Sequence, residues 1–132
     1  AGHRYCRRTI TPLHPRWWRV PQNDPSFASV MERAMEDAGV SAQDIDEVIT
    51  SASGVHSDHA EQHAIASILG WSAQDPRIST PAKVFGNCGA GLGALVASSA
   101  VLRISQGQAK RVLAFVTGQG GQHAALVLEA SA

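Results

Sequence analysis

The chain has 132 residues, which limits it to a single domain, and its 11 Lys plus Arg balance 11 Asp plus Glu. Zero formal charge argues against a nucleic-acid binder, since such proteins carry a basic excess. Two distant cysteines, Cys6 and Cys88, make no disulfide framework and suit a reducing cytoplasm.

The start is polar and Arg-rich, without the apolar core of a signal peptide. The longest apolar stretch, near residues 90–102, is too short and too rich in Gly and Ser to span a bilayer. The chain opens on Ala1, so a processed product, a trimmed chain or one piece of a longer polypeptide is expected.

Residues 1–25 hold four of the six prolines and the pair Trp17-Trp18, and read as an extended, loop-like segment lying on another surface. Arg4, Arg7, Arg8, Arg16 and Arg19 cluster there. They read as a solvated loop, the alternative being a docking patch for an acidic partner.

Asp24-Pro25 then opens a helix, because Asp caps free N–H groups and Pro fits the first helical position. Phe27, Val30, Met31, Ala34 and Ala38 recur at helical spacing, and Gly39 ends the run. A short helical turn follows from Ser41, then a strand over residues 45–49. A second helix runs from Asp58 to Leu69 with Gly70 as its stop, and a short strand is expected at 78–81. Residues 88–105 predict a third helix whose Ala, Gly, Leu, Val and Ser surround the axis, the mark of burial on all sides. Two apolar strands, 111–117 and 124–129, close the chain across a Gly-rich turn.

This order predicts an α/β layered fold. One small sheet cannot cover a helix on every side, so a second layer must come from elsewhere.

Four segments carry a family resemblance. Met35-Glu-Asp-Ala-Gly-Val-Ser-Ala-Gln-Asp-Ile-Asp46 is similar to an Ala-Gly-Leu-x-Pro-x-Asp-Ile-Asp stretch, and Asp58-x-x-Glu61-x-x-Ala64-Ile65 to the helix behind it. Phe85-Gly-Asn-Cys-Gly-Ala-Gly-Leu-Gly-Ala94 resembles a catalytic-histidine segment and its buried helix. Gly118-Gln-Gly-Gly-Gln-His-Ala-Ala-Leu-Val127 resembles a closing Gly-Phe-Gly-Gly-Thr-Asn-Ala turn. In order and spacing they resemble the second half of the ketosynthases of fatty-acid and polyketide biosynthesis, in the thiolase superfamily.

The resemblance implies a thiolase-like fold, the C-terminal half of a five-layer αβαβα core. Residues 26–132 would form the half-domain and begin just past its opening strand. The N-terminal half, with the nucleophilic cysteine, would lie on another chain. The substrates would be thioesters of carrier-protein phosphopantetheine or coenzyme A, with no resident cofactor.

The resemblance also implies site positions. The first catalytic histidine is replaced by Ser53 when the segments are aligned on Gly54, or by Thr50 when no gap is allowed; His56, three residues beyond Ser53, is a further catalytic candidate that could swing into the position. The second falls on Asn87, whose amide can donate in an oxyanion hole and whose oxygen can cap the helix behind it. Cys88 reads first as a small buried residue, although a helix N-terminus would favour its thiolate. Gln119 stands where the family has a gating phenylalanine, with Gly118 and Gly120 giving backbone room. Lys83 and Glu61 would form a structural ion pair. His59 and His63, four apart beside Asp58 and Glu61, lack a further Cys or His to complete a metal set, so a solvated face is expected.

Lacking the usual histidines, the chain resembles a chain length factor, the non-condensing partner of an active ketosynthase that also works with an acyl carrier protein. One alternative is an active acyltransferase or condensing enzyme using Asn87 with a cysteine from the other half. Another is a non-catalytic docking module for acyl groups or carrier protein. No nucleic acid or membrane partner is expected.

Overall fold

The structure is a computed structural model and describes residues 3–5, 9–10, 25–53, 58–118 and 123–131. One sheet divides two layers of helix. Its strands are β1 (His3–Tyr5), β2 (Thr9–Ile10), β3 (Glu47–Thr50), β4 (Ile78–Ser79), β5 (Arg111–Thr117) and β6 (His123–Ala130). They lie in the order β1-β6-β5-β3-β4, with β2 also paired to β6. The helices are α1 (Pro25–Ala38), α2 (Asp58–Leu69), α3 (Ala82–Phe85) and α4 (Leu92–Ser105).

The parallel strands β4, β3 and β5 form the part of the sheet that matters for the site. Thr50 faces Phe115 across β3 and β5, so the carboxyl ends of these two strands emerge together. The chain leaves β3 through α2 toward β4, and leaves β5 in the opposite direction, into antiparallel β6. Such a switch point opens a crevice beyond the strand ends, where α/β folds place their ligands.

Successive residues of a strand point to opposite faces, and β3 divides the core accordingly. Val48 packs with α1 and α2 against Leu113, Phe115, Ala125 and Val127. Ile49 packs with Val96, Ala100 and Ile104 of α4 against Val112, Ala114 and Leu128. In the first layer Phe27 is fully buried beside Phe115 and His123, with ring centroids 5.7 and 3.9 Å away.

Two expectations change. The segment read as loop over residues 1–25 contributes two strands, because β6 offers them a free edge: β1 pairs His3–Tyr5 with residues 128–130, and β2 pairs with Ala124 and Ala125. The third helix starts at Leu92 after a 3-10 turn at Gly89–Gly91, and is covered on one side only. Leu92, Val96, Ala100 and Ile104 are buried four residues apart, while Ala94, Ser98 and Leu102 face outward. The sheet reaches one face of a helix, so the opposite apolar face stays open among the described residues.

Helices α1 and α2 follow their sequence signals, whereas α3 has none in the sequence. Gly39 and Gly70 adopt positive φ at the ends of α1 and α2, a conformation glycine takes without steric cost. No helix of the described residues is long and apolar enough to cross a membrane.

Candidate functional site

Three loops meet beyond the carboxyl ends of β3, β4 and β5. The first leaves β3 through Ser51, Ala52 and Ser53. The second runs from Thr80 through α3 to Asn87 and Cys88. The third begins at Gly118, which is exposed. His56, Gln119 and Gly120 lie outside the described residues, as does the capping position of Asp24.

Asn87 is positioned by the local chain. Gly86 ends α3 at φ 84° and ψ 175°, a conformation that turns the backbone out of the helix and disfavours a side chain. Asn87 Oδ1 then accepts the N–H of Gly89 at 2.8 Å, capping the 3-10 turn that leads into α4. With the oxygen engaged, the amide NH2 is the part of the side chain left to donate, and the residue is exposed. An amide in this arrangement can donate hydrogen bonds, but it has no proton to exchange near neutral pH.

Cys88 is exposed, contrary to the buried position expected. Every residue from Lys83 to Gly91 is exposed, Val84 and Phe85 at 81% and 71%, because no element among the described residues covers the segment. The Cys88 thiol donates to the carbonyl of Gly86 at 3.6 Å.

Glu61 lies at the inner end of the site and is 1% exposed. Its Oε1 accepts from the hydroxyls of Ser51 at 3.1 Å and Thr117 at 3.0 Å. Oε2 has no hydrogen-bond partner among the described residues. Burial pushes the carboxyl up to about 7, with the charge of nearby Asp58 acting in the same direction and the hydrogen bonds from Thr117 and Ser51 acting against it. The ion pair expected between Glu61 and Lys83 is not formed. Both line one polar cleft of about 330 Å³, shared with Thr50, Gln62, Gln74 and Thr80, but Lys83 is exposed at its rim while the carboxyl is held by the strand ends. A flexible ammonium is better hydrated in that position than drawn inward.

Ser53 is half-buried, and its N–H donates to Asp58 Oδ1 at 3.3 Å. The site thus brings Ser53 and Gly118 onto neighbouring strand ends and gathers Glu61 and Lys83 around one cleft. Asn87 stands on a separate capped turn. Sequence reasoning passed over Ser51 and Thr117. The signal was a small hydroxyl residue just past one apolar strand and at the end of another, opposite a helix carrying acids at 58 and 61. His59 and His63 are exposed, and no group of three or more metal-binding side chains comes together among the described residues.

Comparison with known proteins agrees with this architecture. A family model described as beta-ketoacyl synthase, C-terminal domain, matches residues 16–116. No curated protein matches the chain. Among solved structures, the AntDE:AntF complex, a type II PKS acyl-carrier protein with its ketosynthase bound to the hexaketide, is similar with TM-score 0.81 and 19% identity over 97% of this chain and 38% of that one. The ishigamide ketosynthase/chain length factor is similar with TM-score 0.78 and 19% identity over 99% and 37%. Human mitochondrial 3-ketoacyl-CoA thiolase is similar with TM-score 0.67 and 16% identity over 98% and 31%. These likenesses show the thiolase-like fold, and the chain spans under two fifths of each of the three. The order of strands, the small-residue helix α4 and the family match together place the chain in the beta-ketoacyl synthase family, as a member of its C-terminal domain.

Proposed function

We propose that this chain is the C-terminal part of a ketosynthase-like subunit that serves as a chain-length-factor-type partner of an active ketosynthase, in fatty-acid or polyketide assembly. The observation that carries the reading is Asn87. By the sequence resemblance it falls on the family's second histidine position, and its oxygen accepts from the N–H of Gly89. Condensation needs donors that hold the developing charge of a thioester carbonyl and groups that manage its protons. Neither Ser53 nor Asn87 can take up a proton near neutral pH. The named ketosynthase/chain length factor among the similar structures supports the same reading.

Its partners in this proposal are an N-terminal half of the same fold, an active ketosynthase and an acyl carrier protein, working in the cytoplasm on phosphopantetheine or coenzyme A thioesters. The outward face of α4 and the exposed Val84 and Phe85 would meet the N-terminal half. The test is condensation of malonyl-carrier protein by this chain with its N-terminal half. No acyl elongation is expected until an active ketosynthase is added, and elongation without one overturns the proposal.

The free amide NH2 of Asn87 favours a second reading, an active acyltransferase in which it donates to an oxyanion beside a cysteine of the other half. Substitution Asn87→Asp, which keeps the capping oxygen and removes the donors, would then abolish turnover. Full turnover in that variant rejects this alternative.

A further inference from the structure

The first turn of α2 grips both strand ends from which site loops leave. Glu61 Oε1 accepts from Ser51, just past β3, and from Thr117, the last residue of β5. Ser51 Oγ in turn accepts the N–H of Thr117 at 2.8 Å, and Ser51 N–H donates to Phe115 O at 3.0 Å. Three residues earlier on the helix, Asp58 Oδ1 accepts the N–H of Ser53 at 3.3 Å. Residues three apart on a helix face the same way, so both acids address the same edge of the sheet.

Ser51, Asp58 and Glu61 are 4%, 7% and 1% exposed. Helix α2 already has Ala60, Ala64 and Ile65 to seat it on the core. Buried acids are a costly way to add adhesion that apolar side chains supply. What directional hydrogen bonds add is a fixed spacing between the groups they join.

We propose that Glu61 is a positioning residue which clamps the end of β3 to the end of β5, with Asp58 holding Ser53 beside it, so that α2 keeps the two strand ends under the site in register. The proposal rests on the site reading above only in placing that site at these strand ends. It concerns their mechanics and not the reaction.

The test is amide hydrogen exchange, followed by mass spectrometry in the assembled protein that contains this chain. Glu61→Ala should raise exchange roughly tenfold in peptides covering both 47–53 and 112–118, as expected for the loss of one or two hydrogen bonds of ordinary net strength, while peptides of α4 stay protected. Glu61→Gln keeps a carbonyl for both hydroxyls and should restore protection in both peptides.

If Glu61→Ala prevents folding, Thr117→Val removes one hydroxyl donor at constant shape and should give the same joint rise. Exchange that in Glu61→Ala rises in one peptide only, rises in neither, or is not restored by Glu61→Gln overturns the clamp. Because the readout is exchange and not condensation, those results leave the chain-length-factor reading to its own test.

Discussion

An amide at position 87 differs from an imidazole in what it can do with a proton. The Asn87 side chain accepts from Gly89 through its oxygen, so its structural role and the donor role considered above fall on different atoms. Asn87→Ala should cost about 1 kcal/mol of stability through the lost cap, whereas Asn87→Asp should cost less, as measured by urea denaturation. Glu61 gives the pH prediction at this scale. Its carboxyl is raised from 4.5 to about 7, so the folded state holds a proton that the unfolded state has released across that interval. The stability contributed is full below pH 4.5 and is lost as pH rises through about 7, by at most about 3 kcal/mol. Asp58 on the same helix, and Lys83 and Asp75 across the cleft, are the charged groups that share this environment. Glu61→Gln should abolish that slope between pH 5 and 8 in denaturation midpoints; an unchanged slope would assign it to another group.

At the scale of elements, the two faces of the sheet are secured differently. On the α1 side Phe27, Phe115 and His123 bring a helix and two strands together through ring contacts. Phe27→Ala should cost about 3–5 kcal/mol, because the rigid strands cannot collapse into the space left behind. On the α4 side a polar bridge crosses from helix to sheet. Arg103 Nε lies 2.8 Å from Glu47 Oε2, and Ser79 donates to Glu47 Oε1 at 2.7 Å. Glu47 is 4% exposed, so Arg103→Ala strands a buried carboxylate that keeps only the Ser79 hydroxyl. A loss of about 1–3 kcal/mol is expected, tempered by the half-exposed Arg, and Glu47→Gln in the same chain should recover part of it. The helix boundaries at Gly39 and Gly70 were legible because stop signals are local. Helix α3 was not, since four residues carry no period to detect.

For the whole molecule, the open side of α4 is the feature with most consequence. A shallow apolar depression there is lined by Ala97, Ser98, Val101, Leu102, Ser105 and Leu128. Leu102 is 53% exposed and touches no core cluster of this chain, so Leu102→Glu should leave the half-domain folded while weakening its union with the N-terminal half. Size-exclusion chromatography with circular dichroism separates the two effects. Undisturbed assembly would remove this face from the interface.

The sequence by itself determined the layered α/β fold, the extent of α2 and β5 and the family, because hydrophobic period, glycine stops and motif order are all written along the chain. It placed Asn87 at the head of the small-residue helix, whereas in the structure a 3-10 turn at Gly89–Gly91 separates it from Leu92, where that helix begins. Only the tertiary structure decided that β1 and β2 extend the sheet, that α4 is covered on a single face, and that Glu61 holds Ser51 and Thr117 without pairing with Lys83. Those outcomes depend on which backbone edge is free and which strand ends meet across 56 residues of sequence between Glu61 and Thr117. No local pattern encodes either, whereas burial and hydrogen-bond geometry fix both.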